Sequence, residues 1–86
     1  HVDKVDRQKY TALIIAAEWG HFPIVQLLLN YGANVNHQTK YHETALLIAL
    51  QNKHTRIVKL LLKQPGIEIN EKEEKLLLRL KKHRNK

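Results

Sequence analysis

Residues 11–36 read TALIIAAEWGHFPIVQLLLNYGANVN, and residues 44–70 repeat much of this pattern. Thr11 matches Thr44 at an offset of 33 (44 − 11 = 33). Agreement over many positions at one offset of this length is typical of stacked repeat arrays. After residue 62 the offset becomes 34, which indicates a one-residue insertion in a loop, where insertions are tolerated best. The offset of 33 also aligns Ala12-Leu13 with Ala45-Leu46, Ala16 with Ala49, His21 with His54, and residues 27–29 with residues 60–62.

Each repeat is predicted to contain two short helices. Thr11 can cap the first helix, at about residues 11–18, because its hydroxyl accepts a hydrogen bond from an unpaired amide of the first turn. Gly20 ends that helix, and Pro23 stands where the second begins, a position that needs no amide hydrogen. Gly32 ends the second helix in a left-handed conformation that glycine adopts at little cost.

This pattern of repeats predicts a single domain over residues 1–86. One repeat runs from about 5 to 37 and the next from about 38 to 70. The polar stretch 33–43 between the helix pairs predicts a turn or short hairpin.

The C-terminal segment differs from the repeats and predicts a capping helix at about residues 71–83. Asn70 and Glu73 have the spacing of a capping box, in which each side chain bonds the backbone amide of the other residue. Leu76, Leu77 and Leu80 share one helical face, and charged residues fill the other.

At residues 2–70 the sequence resembles the ankyrin-repeat family. The motifs that carry the resemblance are Thr11 to Ala17, Gly20-His21, Ile24 to Leu29 and Gly32 to Asn36, with their second copies. It implies an all-α solenoid of two full repeats with short β-hairpin or turn connections. The usual hairpin glycine is replaced by Lys9 and His42, and Lys53 stands at the position of Gly20, so looser hairpins are expected.

The resemblance also implies a non-catalytic scaffold that binds another protein through hairpin tips and the concave face of the first helices. Trp19, Tyr41 and Arg7 are of the residue types that dominate interface energies. Packing of Trp19 on a neighbouring repeat is the alternative for that side chain. The corresponding variable positions are Arg7, Gln8, Tyr10, Glu18, Trp19, Gln38, Lys40, Tyr41, Glu43, Gln51 and Asn52.

The formal net charge of +7 gives a second hypothesis, since a basic chain attracts nucleic acid, acidic lipid and acidic protein alike. Residues 71–86 hold seven Lys or Arg against three Glu, a balance of +4 (7 − 3), and a basic tail of this kind can bind phosphate groups. A third hypothesis makes the chain a structural end-cap of a larger protein.

No enzyme motif, metal-ligand spacing or cofactor-binding loop is present, so neither catalysis nor a cofactor or metal is expected. Cysteine is absent, which excludes a disulfide framework and is compatible with a reducing cytosol. The chain is expected to act inside cells, in the cytoplasm, and an effector delivered by a bacterium to its host cell is the alternative. No apolar run reaches the length of about 20 residues that a membrane span needs.

The N-terminal edge of the predicted stack lacks a polar cap. We therefore expect Leu13 and Ile14 to lie partly exposed, and this edge to continue a longer array or to mediate self-association.

Overall fold

A computed structural model describes the backbone of residues 2–84 and the side chains of residues 2–80. The chain forms five helices within these bounds. In order they are α1 (Ala12–Trp19), α2 (Phe22–Asn30), α3 (Ala45–Gln51), α4 (Thr55–Leu62) and α5 (Glu71–Arg84). Helices α1 and α2 form repeat 1, and α3 and α4 form repeat 2.

Side-chain caps begin the first helix of each repeat, as the sequence predicts. The Thr11 hydroxyl accepts a hydrogen bond from the Ile14 amide at 3.3 Å, and the Thr44 hydroxyl accepts one from the Leu47 amide at 3.1 Å. Each bond satisfies an amide that has no partner within its own helix.

Left-handed backbone ends the helices where the sequence places glycine. Gly20 has φ 76° and Gly32 has φ 86°. Lys53 stands at the position of Gly20 in repeat 2 and adopts φ 60°, so the fold keeps this conformation although the side chain makes it costly.

The helices stack in layers, with α1 on α3, α2 on α4, and α5 on α3. Within each repeat the two helices also pack against each other, so the first helix of each repeat is buried on two sides. Their buried apolar residues form one continuous core with residues of α2 and α4, and Leu77 of α5 packs against it. The all-α solenoid predicted from the sequence is confirmed.

The expectation that Leu13 and Ile14 lie partly exposed is wrong. Both side chains are 1 % exposed. Successive helical residues point about 100° apart, so the open side of α1 presents its neighbour Ile15 instead, which is 41 % exposed.

A tight turn precedes the first helix of each repeat, and the described residues contain no β-strand. At the first turn the Lys9 amide donates to the Asp6 carbonyl at 3.0 Å. At the second the His42 amide donates to the Thr39 carbonyl at 2.9 Å.

Candidate partner-binding surface

The two hairpin tips lie side by side. The Lys40 amide of the second tip donates a hydrogen bond to the Gln8 carbonyl of the first at 3.0 Å. Lys9 and His42, the residues that replace the family's glycine, adopt φ 64° and 63°. Both turns therefore keep the glycine conformation, and the side chains of Arg7, Gln8, Lys40 and Tyr41 project from one edge of the stack. We call these four exposed residues the tip patch.

The tip patch is basic and carries an aromatic ring. Arg7 and Lys40 are exposed, and the Lys40 ammonium lies 5.7 Å from the centre of the Tyr41 ring. The neighbouring Asp6 orders the first turn, because its Oδ1 accepts hydrogen bonds from the Gln8 and Tyr10 amides at 2.9 and 3.0 Å. The tip patch therefore suits a partner whose surface is acidic and can also contact the Tyr41 ring.

Tyr10 and Glu43 occupy equivalent positions of the two repeats and contact each other. The Tyr10 hydroxyl donates to Glu43 Oε1 at 3.4 Å, and both side chains are half-buried. Burial raises the pKa of Tyr10 above its ordinary value of 10.0, and the negative charges of Glu43 and Glu18 raise it further. The contact between Tyr10 and Glu43 thus joins the two repeats, and only part of each side chain is left exposed for a partner.

The C-terminal ends of α1 and α3 carry a second group of predicted residues, Glu18, Trp19, Gln51 and Asn52, which we call the helix-end patch. All four are exposed. The Asn52 side-chain amide donates to the Glu18 carbonyl at 3.2 Å, which brings the two helix ends together. Trp19 remains 68 % exposed, so it does not pack on repeat 2. Helix α1 has eight residues and is therefore about 12 Å long. The helix-end patch thus lies roughly one helix length from the tip patch.

Gln38 belongs to neither patch and lines a cleft of about 200 Å³ between repeat 2 and the start of α5. The sequence interpretation missed this cleft, although the capping box identified one of its walls. Glu73 is fully buried, and its Oε1 accepts from the Asn70 amide at 2.9 Å while Asn70 Oδ1 accepts from the Glu73 amide at 2.8 Å. The cleft is lined by Asn36, Gln38, Thr44, Glu68, Ile69, Asn70 and Glu73.

His54, which stands 33 residues after His21, has a structural role. Its Nε2 lies 3.0 Å from the Glu18 carbonyl oxygen of repeat 1, in hydrogen-bonding contact. The same carbonyl is the acceptor for Asn52, so one helix end of repeat 1 is held by two side chains of repeat 2. His54 therefore holds the end of α1 against repeat 2.

Other kinds of site find little support in the part of the chain that the structure describes. No group of three His, Asp or Glu side chains there is placed to hold a metal ion. None of the described helices has both the length and the apolarity to cross a bilayer. The nucleic-acid or lipid hypothesis rests on the basic tail, and residues 81–86 of that tail lie outside the residues whose side chains are described.

The family model and the similar proteins found by comparison agree with each other. A family model described as "Ankyrin repeats (3 copies)" matches residues 1–73. Rabankyrin-5 from Mus musculus is 42 % identical over 64 residues, which cover 74 % of this chain and 6 % of that protein. Ankyrin repeat and SAM domain-containing protein 6 from Mus musculus is 42 % identical over 65 residues, which cover 74 % of this chain and 7 % of that protein. Alpha-latrotoxin-Lt1a from Latrodectus tredecimguttatus is 33 % identical over 75 residues, covering 85 % and 5 %.

The chain thus spans less than a tenth of the length of each of these relatives. The family model covers most of the 86 residues, and the helix pairs, threonine caps and left-handed turns follow the pattern on which the resemblance rests. The chain therefore belongs to the ankyrin-repeat family.

Proposed function

We propose that the chain binds a protein partner through the tip patch and the helix-end patch. Ankyrin repeats are generally protein–protein interaction modules, and the family is generally non-catalytic. The observation that supports these two surfaces is the exposure of their aromatic rings. Trp19 is 68 % and Tyr41 55 % exposed, although folding usually covers much of such large apolar side chains.

Charge narrows the kind of partner. Arg7 and Lys40 project from the tip patch, and the nearby Asp6 carboxylate is engaged by backbone amides. A partner with an acidic surface beside an apolar recess fits this arrangement best. Exposed charge pairs mainly raise the association rate, and added salt screens them.

The experiment compares the Trp19→Ala/Tyr41→Ala double variant with the unchanged chain, using a partner captured by the intact protein and then purified. We expect the double substitution to weaken binding by about 2 kcal/mol or more, because exposed aromatic residues are common energetic centres of interfaces. Stability should change by less than about 0.5 kcal/mol per site, since neither ring is packed in the core.

Tyr31 supplies the matched control. It is 71 % exposed at the end of α2, outside both patches. Tyr31→Ala should leave the affinity unchanged. If Tyr31→Ala weakened binding as much as the double substitution, the partner would contact a different surface and the assignment of the two patches would be wrong.

The basic tail is the competing binding surface, and its deletion separates the two hypotheses. Removal of residues 81–86 should leave partner affinity within about twofold in moderate salt, since long-range electrostatics between exposed charges are screened there. Tail-dependent binding would instead appear as binding to duplex DNA with a steep salt dependence, about −0.9 in log–log slope for each phosphate contacted. Loss of partner binding on tail deletion would favour the electrostatic hypothesis.

A further inference from the structure

The layer formed by the second helices, α2 and α4, carries basic charge and no acidic charge. α2 contains no acidic residue, and neither does the stretch from residue 44 to residue 67, which includes α4. That stretch holds four basic residues, Lys53, Arg56, Lys59 and Lys63. All four are exposed, and none belongs to the tip patch or the helix-end patch. The outer layer therefore presents a positive surface that the proposed protein interface does not use.

Three of these cations lie along one face of α4. Arg56 and Lys59 are three residues apart (59 − 56), and Lys63 at the C-cap is four residues further on (63 − 59), the spacings at which side chains are neighbours on a helix. The opposite side of α4 is buried in the core. Arg56, Lys59 and Lys63, which we call the basic stripe, therefore face away from the rest of the stack along about 10 Å of helix.

The neighbouring elements do not offset the charge of the basic stripe. Glu43, the acid that precedes the stretch, contacts Tyr10, and Glu68, the acid that follows it, lines the cleft at the start of α5. The glutamates of α5 belong to a helix that packs on α3. The α2 residues that stand 33 positions before the stripe are exposed and uncharged; they are Pro23, Gln26 and Asn30.

The charges of the basic stripe repel one another. Lys59 and Lys63 stand four residues apart, a spacing at which like charges destabilise a helix. An anionic surface placed over the stripe would replace this repulsion with attraction. Charge complementarity therefore favours an anionic ligand at the outer side of α4.

One end of the basic stripe is fixed by an aromatic contact. The Arg56 guanidinium lies 4.3 Å from the centre of the Phe22 ring of repeat 1. This contact orients the charge while the side chain stays exposed. Because Arg56 also joins the two repeats in this way, Lys59 and Lys63 are the residues at which binding can be tested without disturbing the fold.

An exposed aromatic ring stands at the other end of the same layer. Tyr31 is the C-cap of α2 and is 71 % exposed. Its equivalent in repeat 2 is Gln64 (64 − 31 = 33), the residue next to Lys63. Tyrosine combines an apolar ring with a polar hydroxyl, and such side chains collect at the headgroup level of bilayers. A duplex nucleic acid offers phosphates but no apolar layer for this ring, so a bilayer surface suits Tyr31 and the cations together.

We infer that the basic stripe, with Tyr31 at its end, binds the surface of an anionic phospholipid bilayer. Each Lys or Arg held at such a surface raises the affinity about fivefold, and the attraction falls off within a Debye length. The binding is therefore peripheral and sensitive to salt. It uses none of the residues proposed to contact a protein partner.

The test is co-sedimentation with vesicles of equal parts phosphatidylserine and phosphatidylcholine, compared with vesicles of phosphatidylcholine alone. We expect the chain to bind only the anionic vesicles. Lys59→Gln/Lys63→Gln lowers the net charge to +5 (7 − 2) and should weaken this binding about twentyfold. Lys72→Gln/Lys75→Gln makes the same change in net charge at exposed residues of α5 and should keep the affinity within about twofold. Equal losses in the two double variants, or no binding to the anionic vesicles, would overturn the inference.

Two further measurements separate the bilayer from other ligands. Tyr31→Ala should weaken binding to the anionic vesicles severalfold, because the ring no longer enters the headgroup layer. If the unchanged chain bound duplex DNA more tightly than the vesicles in the same salt, and Lys59→Gln/Lys63→Gln removed that binding, the stripe would be a nucleic-acid surface and the bilayer assignment would be wrong. Trp19→Ala/Tyr41→Ala should keep full vesicle binding, so the protein interface and the bilayer surface can fail independently.

Discussion

The hydroxyl of Thr44 donates a hydrogen bond to the carboxylate of Glu73, a side chain that is fully buried where α5 meets repeat 2. The same hydroxyl accepts the Leu47 amide and caps α3, and the other oxygen of Glu73 accepts the Asn70 amide. The threonine that caps α3 thus finds a hydrogen-bond acceptor in the capping helix α5. One buried carboxylate thus joins the cap of α5 to the cap of α3.

Removing the charge of Glu73 should destabilise the fold. In Glu73→Gln one of the two oxygens becomes an amide nitrogen, which cannot accept a hydrogen bond, so either the Thr44 hydroxyl or the Asn70 amide loses its acceptor. We expect a cost of about 1–3 kcal/mol in the free energy of unfolding, measured by urea denaturation. Glu74→Gln, at the exposed neighbour, should cost less than about 0.5 kcal/mol. Equal effects of the two substitutions would contradict a role for the buried contact.

The value of the Thr44–Glu73 contact itself follows from a double-mutant cycle. Thr44→Val should cost more than Thr11→Val, because both remove a cap but only the first also removes a partner of Glu73. Combined with Glu73→Gln, we expect a coupling energy in the range of about 0.5–3 kcal/mol. Additive effects would show that the two side chains act independently.

Lys53 offers a route to stabilisation. Its φ of 60° is left-handed, a conformation that costs a residue with a Cβ about 1–2 kcal/mol. Lys53→Gly should relieve that strain. Glycine also raises the conformational entropy of the unfolded chain, which costs about 0.5–1 kcal/mol of stability, so the expected net gain in stability is at most about 1 kcal/mol. Lys59→Gly makes the same chemical change inside α4 and should destabilise by about 1 kcal/mol, since glycine is a poor helix former. Thermal unfolding of the two variants should therefore shift in opposite directions.

Gly20 and Gly32 distinguish backbone strain from steric conflict. Both have positive φ, but a Cβ at Gly20 would meet the His54 ring at 2.8 Å, whereas a Cβ at Gly32 would have no described atom within 4 Å beyond its chain neighbours. Gly32→Ala should cost about 1–2 kcal/mol from strain alone. Gly20→Ala should cost more, and His54→Ala should partly reverse the excess. If the two alanine variants were equally stable, the packing of His54 on Gly20 would be unimportant.

The Tyr10–Glu43 contact predicts an alkaline loss of stability. The pKa of Tyr10 is raised by burial and by Glu43, so the folded state holds the proton that the unfolded state releases above its ordinary pKa of 10.0. The contribution is therefore complete below pH 10.0 and is lost as pH rises through the higher pKa of the folded state. Tyrosinate absorbance should show one late-titrating tyrosine that Tyr10→Phe removes and Tyr31→Phe keeps. Glu43→Gln should lower the pKa of Tyr10 without restoring it fully, because the burial remains.

Local signals predicted much of the architecture. Thr11 and Thr44 cap helices, and Gly20 and Gly32 end them, because these roles depend on a residue's own conformational range and on amides a few positions away. The capping box of Asn70 and Glu73 was also predicted from its spacing. Most of the residues predicted to bind a partner are exposed, and their role stays a prediction.

What the sequence by itself determined is the repeat: its period, its helix pairs and its family. Burial was decided by the tertiary structure. Ile24 and Ile57 are the same residue at the same repeat position, yet one is 48 % and the other 2 % exposed, because only the second has a helix pair packed against it. In the sequence Glu73 is an ordinary capping residue. Only the packing of α5 on α3 brings its carboxylate to the Thr44 hydroxyl. Contacts between distant parts of the chain remove surface from water, and the residue type alone does not specify which surface is removed.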